Sequence, residues 1–137
     1  MTYQFAGFLA PGSVVRPTQV PAGAVLREIQ TPFVGVGVML PNLIGKVMHE
    51  AQVFEIASSL GFDSTKNWLF LQYDCWGGQI DFAYGLGSSG GERFGPIEES
   101  ALDNVQDVYV GLMAKVGIGE NEALDFQPFE RGFWGET

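Results

Sequence analysis

The chain has 137 residues, of which 46% are apolar, 13% aromatic and 17% charged, a composition that excludes a disordered chain. Sixteen acidic against seven basic residues give a net charge of −9, a field that repels nucleic-acid phosphates and anionic membrane surfaces and attracts basic partners. The one cysteine excludes an internal disulfide, and no apolar run is long enough to span a bilayer.

These bounds predict a single globular domain over residues 1–137, long enough to bury about two-thirds of its unfolded surface. Met1-Thr2-Tyr3-Gln4-Phe5 has neither a basic region nor a long apolar stretch, so no export signal is expected and the protein reads as soluble and cytoplasmic.

Residues 3–10 read as a first strand, stopped by Pro11-Gly12. Residues 13–23, punctuated by Pro17, Pro21 and Gly23, read as an ordered surface loop, and residues 24–30 suit a strand or a helical turn equally. Residues 33–40 have β character, with glycines at alternate positions that let a neighbouring backbone, an aromatic ring or a ligand approach closely, the aromatic of a neighbouring strand being favoured over a ligand. Asn42 is placed to cap a helix carrying Leu43, Ile44, Val47, Met48, Ala51, Phe54 and Ala57 at helical spacing, with Gly61 as its stop. His49, the one histidine, is expected as a half-exposed residue of that helix rather than a metal ligand.

Residues 68–84 carry the strongest pattern, a β-hairpin turning at Gly77-Gly78. With Trp76 opposite Gln79, the register puts Cys75 against Ile80, Asp74 against Asp81, Tyr73 against Phe82 and Leu71 against Tyr84. One face is then apolar, built from Leu69, Leu71, Tyr73, Cys75, Ile80, Phe82 and Tyr84. The other carries Trp68, Phe70, Gln72, Asp74, Trp76, Gln79, Asp81 and Ala83. Cys75 reads as inert core packing. Gly85, Gly87 and Gly90 match the dinucleotide spacing GxGxxG, but they follow a hairpin arm and no helix opens behind them, so a flexible loop is expected instead. Residues 97–116 read as the clearest helix, closed by Gly117, with Glu99, Asp103 and Asp107 as an acidic row on its outer face. The apolar segment 124–134 is expected to dock on the sheet or a helix end.

Two amphipathic helices needing one apolar sheet face predict an α+β, two-layer sandwich: a mostly antiparallel sheet of four to five strands with both helices on one face. The opposite hairpin face is left for a partner. Exposed tryptophans beside acids make interface anchors, and Asp74 against Asp81 is an unfavourable pair until a cation or basic partner offsets it. The partner-binding set is therefore Trp68, Phe70, Gln72, Asp74, Trp76, Gln79 and Asp81, joined by Glu99, Asp103 and Asp107. No catalytic residue, metal ligand or cofactor is assigned.

The segment Leu71-Gln72-Tyr73-Asp74-Cys75-Trp76-Gly77-Gly78-Gln79-Ile80, followed by Lys115-Val116-Gly117-Ile118, Asp125-Phe126 and Glu130-Arg131, resembles small bacterial immunity proteins encoded beside polymorphic or contact-dependent toxins. The resemblance covers roughly the C-terminal half. It implies a stoichiometric inhibitor without catalysis that buries the active site of a basic toxin domain. Two other readings stay open. One is a small-molecule or metal-binding protein, or an enzyme, using Asp74 and Asp81 as paired carboxylates. The other is a subunit of a larger assembly.

Overall fold

The computed structural model describes residues 2–12, 23–30, 33–62, 67–76 and 79–125, and the side chains of Thr2, Tyr3, Trp76, Gln79 and Asp125 are outside that description. The described strands are β1 (Thr2–Pro11), β2 (Val25–Ile29), β3 (Gly35–Met39), β4 (Trp68–Trp76), β5 (Gln79–Ser89) and β6 (Glu92–Glu99). They form one antiparallel sheet of six strands in the order β2-β3-β1-β4-β5-β6. The helices are α1 (Glu50–Ser59), α2 (Val105–Lys115) and α3 (Glu120–Asp125), with a short 3-10 turn at Pro41–Leu43. The α+β class is as expected, with more strands than the sequence pattern showed.

The expected two-layer arrangement does not hold, because both faces of the sheet are apolar and each is covered. Phe5, Leu9, Leu71, Tyr73, Ile80 and Ala83 pack with Tyr109, Leu112, Met113 and Val116 of α2 and its continuation. Phe8, Val36, Val38, Trp68, Phe70 and Leu86 pack on the other face with Val53, Ala57, Leu60 and Phe62 of α1 and its end. The helices therefore lie on opposite faces. β4 contributes to both clusters, as a central strand buried on two sides must, and its Trp-Leu-Phe-Leu opening is a nearly continuous apolar run.

Aromatic packing is divided between the same two layers. Phe5 stacks on Tyr73 at 5.1 Å, and Tyr73 meets Tyr109 edge-on at 5.8 Å. The Tyr109 hydroxyl donates to the Ala123 carbonyl at 2.6 Å, which ties α3 to α2, and burial pushes that phenol far above its ordinary pKa. On the α1 side Trp68 lies 5.6 Å from Phe8 and 5.0 Å from Phe54, edge-on to the latter. Arg93 caps the layer with its guanidinium 4.0 Å from the Phe54 ring centre.

Three predicted boundaries move. Residues 24–30, undecided in sequence, contain strand β2. The first helix does not begin at Asn42, because the 3-10 turn ends at Leu43, Ile44 is extended, and Gly45 then takes a φ of 75°, outside the right-handed helical path. α1 starts instead behind His49, whose backbone N–H donates to the Gln52 side chain at 3.1 Å as half of a capping box. Residues 97–99 belong to edge strand β6, so α2 starts only at Val105.

The helix ends are as expected. Phe62 N–H reaches Ala57 O at 2.8 Å with Gly61 N–H on Ser58 O at 3.0 Å, and Ile118 N–H reaches Met113 O at 3.0 Å with Gly117 N–H on Ala114 O at 3.0 Å. Both are Schellman closures around a left-handed glycine.

The glycine-rich stretch is a strand where a flexible loop was expected. β5 runs through Gly85 and Gly87 and turns at Gly90-Gly91 into β6, with Gly90 N–H held by the Asn67 side chain at 2.7 Å. Gly85 is bare because α2 sits on it: a Cβ there would lie 2.8 Å from Leu112 Cδ1. At Gly35 the close approach comes from the β1 backbone, 2.5 Å from where a Cβ would stand. The loop 13–22, the turn Gly77-Gly78 and the segment from Phe126 onward lie outside the described residues, so the expectations placed there have no structural counterpart.

Candidate functional site

The hairpin register begins as the sequence dictates, with Trp76 opposite Gln79 and Cys75 opposite Ile80. It then shifts by one residue. Asp74 pairs with Phe82, Tyr73 with Ala83 and Gln72 with Tyr84, leaving Asp81 as the extra residue of a β-bulge. Because side chains alternate along a strand, one inserted residue moves everything beyond it to the opposite face. Phe82 and Tyr84 leave the α2 side and join Gln72 and Asp74, while Ala83 takes their place against α2. The expected direct opposition of Asp74 and Asp81 is thereby corrected. Asp81 still acts on Asp74 through space, as its charge is one of the influences that raise the Asp74 pKa.

Beside the bulge lies an open cleft of about 180 Å³. β4 supplies Gln72 and Asp74, β5 supplies Phe82 and Tyr84, and β6 supplies Glu98. The segment before α1 supplies Lys46, Val47 and Met48. That segment is held by the sheet itself: Gln72 Nε2 donates to the carbonyls of Leu43 at 2.8 Å and Lys46 at 2.9 Å, and the Tyr84 hydroxyl donates to Met48 O at 2.9 Å.

Asp74 is the electrostatic centre of the cleft. Partial burial holds its pKa above the ordinary aspartate range, and the nearby charge of Asp81 pushes the same way. A single 3.3 Å hydrogen bond from Gln4 Nε2 works in the opposite sense. No cation stands among these influences. Tyr84 is raised first by burial and then by the charges of Glu98 and Glu50. The arrangement is a concave, largely apolar surface with acid groups at its margin, suited to binding a cation that carries hydrocarbon.

Several expected interface residues are placed elsewhere. Trp68 and Phe70 are fully buried under α1, not exposed, because that face of β4 packs Phe8 and Phe54. Gln72 is 6% exposed and spends its amide on the segment before α1. The side chains of Trp76 and Gln79 lie outside the described residues.

The row Glu99, Asp103 and Asp107 is broken, since Glu99 ends β6, Asp103 lies in a turn and only Asp107 is in α2. Glu99 accepts instead from the backbone N–H groups of Ser100 and Ala101 at 3.1 and 3.2 Å. Asp74 and Asp81 remain part-exposed, Asp74 lining the cleft and Asp81 outside its lining, and the cleft adds Glu98, Lys46, Val47 and Phe82, which sequence patterning assigned to helices or to the apolar hairpin face. The exposure of Val47, at 87%, marks the rim.

Among the described residues no group of three or more His, Cys, Asp or Glu side chains is disposed to hold a metal ion, and no helix is long and apolar enough to cross a membrane. No family model, curated protein or solved structure matches the chain.

Proposed function

We propose that the protein is an acidic protein-binding module, an immunity-like inhibitor that neutralises a basic domain by stoichiometric binding. The observation that carries this reading is the under-neutralised Asp74, with Asp81 and Glu98 near it, at an open cleft of a chain bearing a net charge of −9. Burying a carboxylate beside like charge is unfavourable in the free protein and becomes favourable when a partner brings the missing cation. The exposed Val47 beside it offers apolar contact next to the charge. With Trp68 and Phe70 inside, the binding surface contracts from the whole outer hairpin face to the cleft and its acidic margin.

The test is calorimetric titration of the protein with the product of the adjacent gene. A one-to-one complex is expected, weakened by added salt and abolished by the paired reversal Asp74→Arg and Asp81→Arg. Absence of a complex, or one indifferent to that reversal, overturns the reading.

A second reading, a small-molecule binding protein, is favoured by the concave, mostly apolar lining of the cleft with a few polar groups at its margin, although its volume of about 180 Å³ suits only a small guest. A thermal-shift screen with nucleotides, metabolites and divalent metals tests it, and a flat response removes it.

A further inference from the structure

The geometry points to a specific occupant for the cleft: we propose that it receives one arginine side chain, projected by the basic partner, with the guanidinium beside Asp74 and Glu98 and the methylene stem on Val47 and Met48. The inference rests on the protein-binding reading above and names the chemistry of the contact. The cleft joins three properties that an arginine satisfies together. Its acids come from two strands, Asp74 on β4 and Glu98 on β6 with β5 between them, so a guest that reaches both needs several donors spread in space, which suits the planar fork of a guanidinium better than a point charge. Phe82 and Tyr84 supply aromatic surface on which a guanidinium stacks. Val47 and Met48 supply the hydrocarbon against which a long stem lies.

Lys46 also lines the cleft, but among the described residues it makes no ion pair, and it is absent from the influences on Asp74. It is a like-charged neighbour that a guest must tolerate. A hydrophobic small molecule accounts for the apolar lining and leaves the acids without a role. A bare metal ion accounts for the acids and leaves the aromatic and aliphatic lining without one.

The test is an NMR titration of the full chain with n-butylguanidinium, using n-butylurea as a neutral probe of matched shape. Saturable shifts are expected at the amides of Val47, Met48 and Phe82 with the guanidinium and not with the urea. Loss of a charge-assisted contact in Asp74→Asn is expected to weaken binding by about tenfold, equivalent to ~1.4 kcal/mol. Lys46→Ala, an exposed change, is expected to strengthen it severalfold, and the spectrum of each variant reports its own folding. Equal binding of the urea, shifts confined to another surface, or an unchanged affinity in Asp74→Asn with its spectrum intact overturns the inference.

The two readings fail separately. Guanidinium binding here without a complex with the neighbouring gene product removes the inhibitor and keeps the cleft. A complex that leaves Val47, Met48 and Phe82 unshifted does the reverse.

Discussion

Gln72 and Tyr84 stand opposite one another on β4 and β5 and grip the same incoming segment, Gln72 through the carbonyls of Leu43 and Lys46 and Tyr84 through that of Met48. The segment forms one side of the cleft, so these two residues set the position of Val47. Gln72→Leu removes two bonds to part-buried carbonyls and is expected to cost about 1–3 kcal/mol, and Tyr84→Phe, with one bond lost, about 0.5–1.5 kcal/mol. Because both act on one segment, the double variant is expected to depart from additivity by about 0.5 kcal/mol or more in urea unfolding. Additive losses mean that the two anchors are independent.

Asp74 makes stability depend on pH in a direction opposite to that of a salt-bridged aspartate. Its folded pKa lies above the unfolded value, so the native state binds the extra proton and stability falls as pH rises through that raised value. At neutral pH the charged, part-buried carboxylate therefore destabilises the fold. Asp74→Asn keeps an oxygen to accept from Gln4 and removes the charge. It is expected to raise the melting temperature at pH 7, with the gain shrinking toward zero as the pH is lowered through the folded pKa and then the unfolded one. A stability gain that is constant from pH 7 to pH 3, or a loss at pH 7, contradicts the assignment. If the cleft takes a guanidinium as proposed, the same substitution is expected to weaken that binding, so that stability and binding move in opposite directions.

The sequence showed the hairpin up to the pair Cys75 and Ile80 and lost it at Asp81. Ile80, Phe82 and Tyr84 alternate cleanly with Asp81 and Ala83, so the apolar pattern favours an unbulged register. What decides otherwise is tertiary: past the bulge, Ala83 and Gly85 face α2, where Leu112 leaves no room at Gly85 for a side chain. Small residues on that face permit the helix to approach, and Phe82 and Tyr84 serve the cleft instead. A one-residue insertion has no compositional mark, and its consequence is large because every later side chain changes face.

A related loss explains the misplaced tryptophan. In β4 the pattern Trp68, Phe70, Gln72, Asp74 mixes aromatic and polar residues, which reads as a wet surface. The structure divides it along its length: the first half is buried under α1 and the second half opens into the cleft. The acids Asp74 and Asp81 were recognisable as surface groups because charge is seldom fully buried without a partner. Glu98 was not, since a helical period extended backwards from Val105 absorbed it into a helix start.

Trp68 now belongs to stability. It is fully buried between Phe8 and Phe54, and Trp68→Ala is expected to cost about 3–5 kcal/mol, a large fraction of a small domain's stability. A variant stabilised enough to fold is expected to bind the basic partner with unchanged affinity per native molecule, measured by calorimetry with the native fraction fixed by circular dichroism. A selective loss of affinity at full native content returns Trp68 to the interface.

Gly87 and Gly117 separate two ways in which a glycine is required. Gly117 closes α2 at a φ of 87°, and a Cβ there meets nothing within 4 Å, so Gly117→Ala carries backbone strain alone, about 1–2 kcal/mol. Gly87 lies in strand β5 with its missing Cβ directed at the backbone carbonyl of Trp68 and 3.0 Å from Phe94 Cζ. Phe94 can yield, but the carbonyl belongs to the central strand β4 and moves only if the β4–β5 pairing moves with it. Gly87→Ala is therefore expected to reach or exceed the upper end of the ~1–3 kcal/mol typical of overpacking. It is also expected to loosen the two strands, seen as faster amide exchange in β4 and β5, whereas Gly117→Ala leaves that exchange unchanged apart from the uniform effect of lower stability. Urea unfolding that ranks Gly117→Ala as the more damaging change refutes the close strand contact at Gly87.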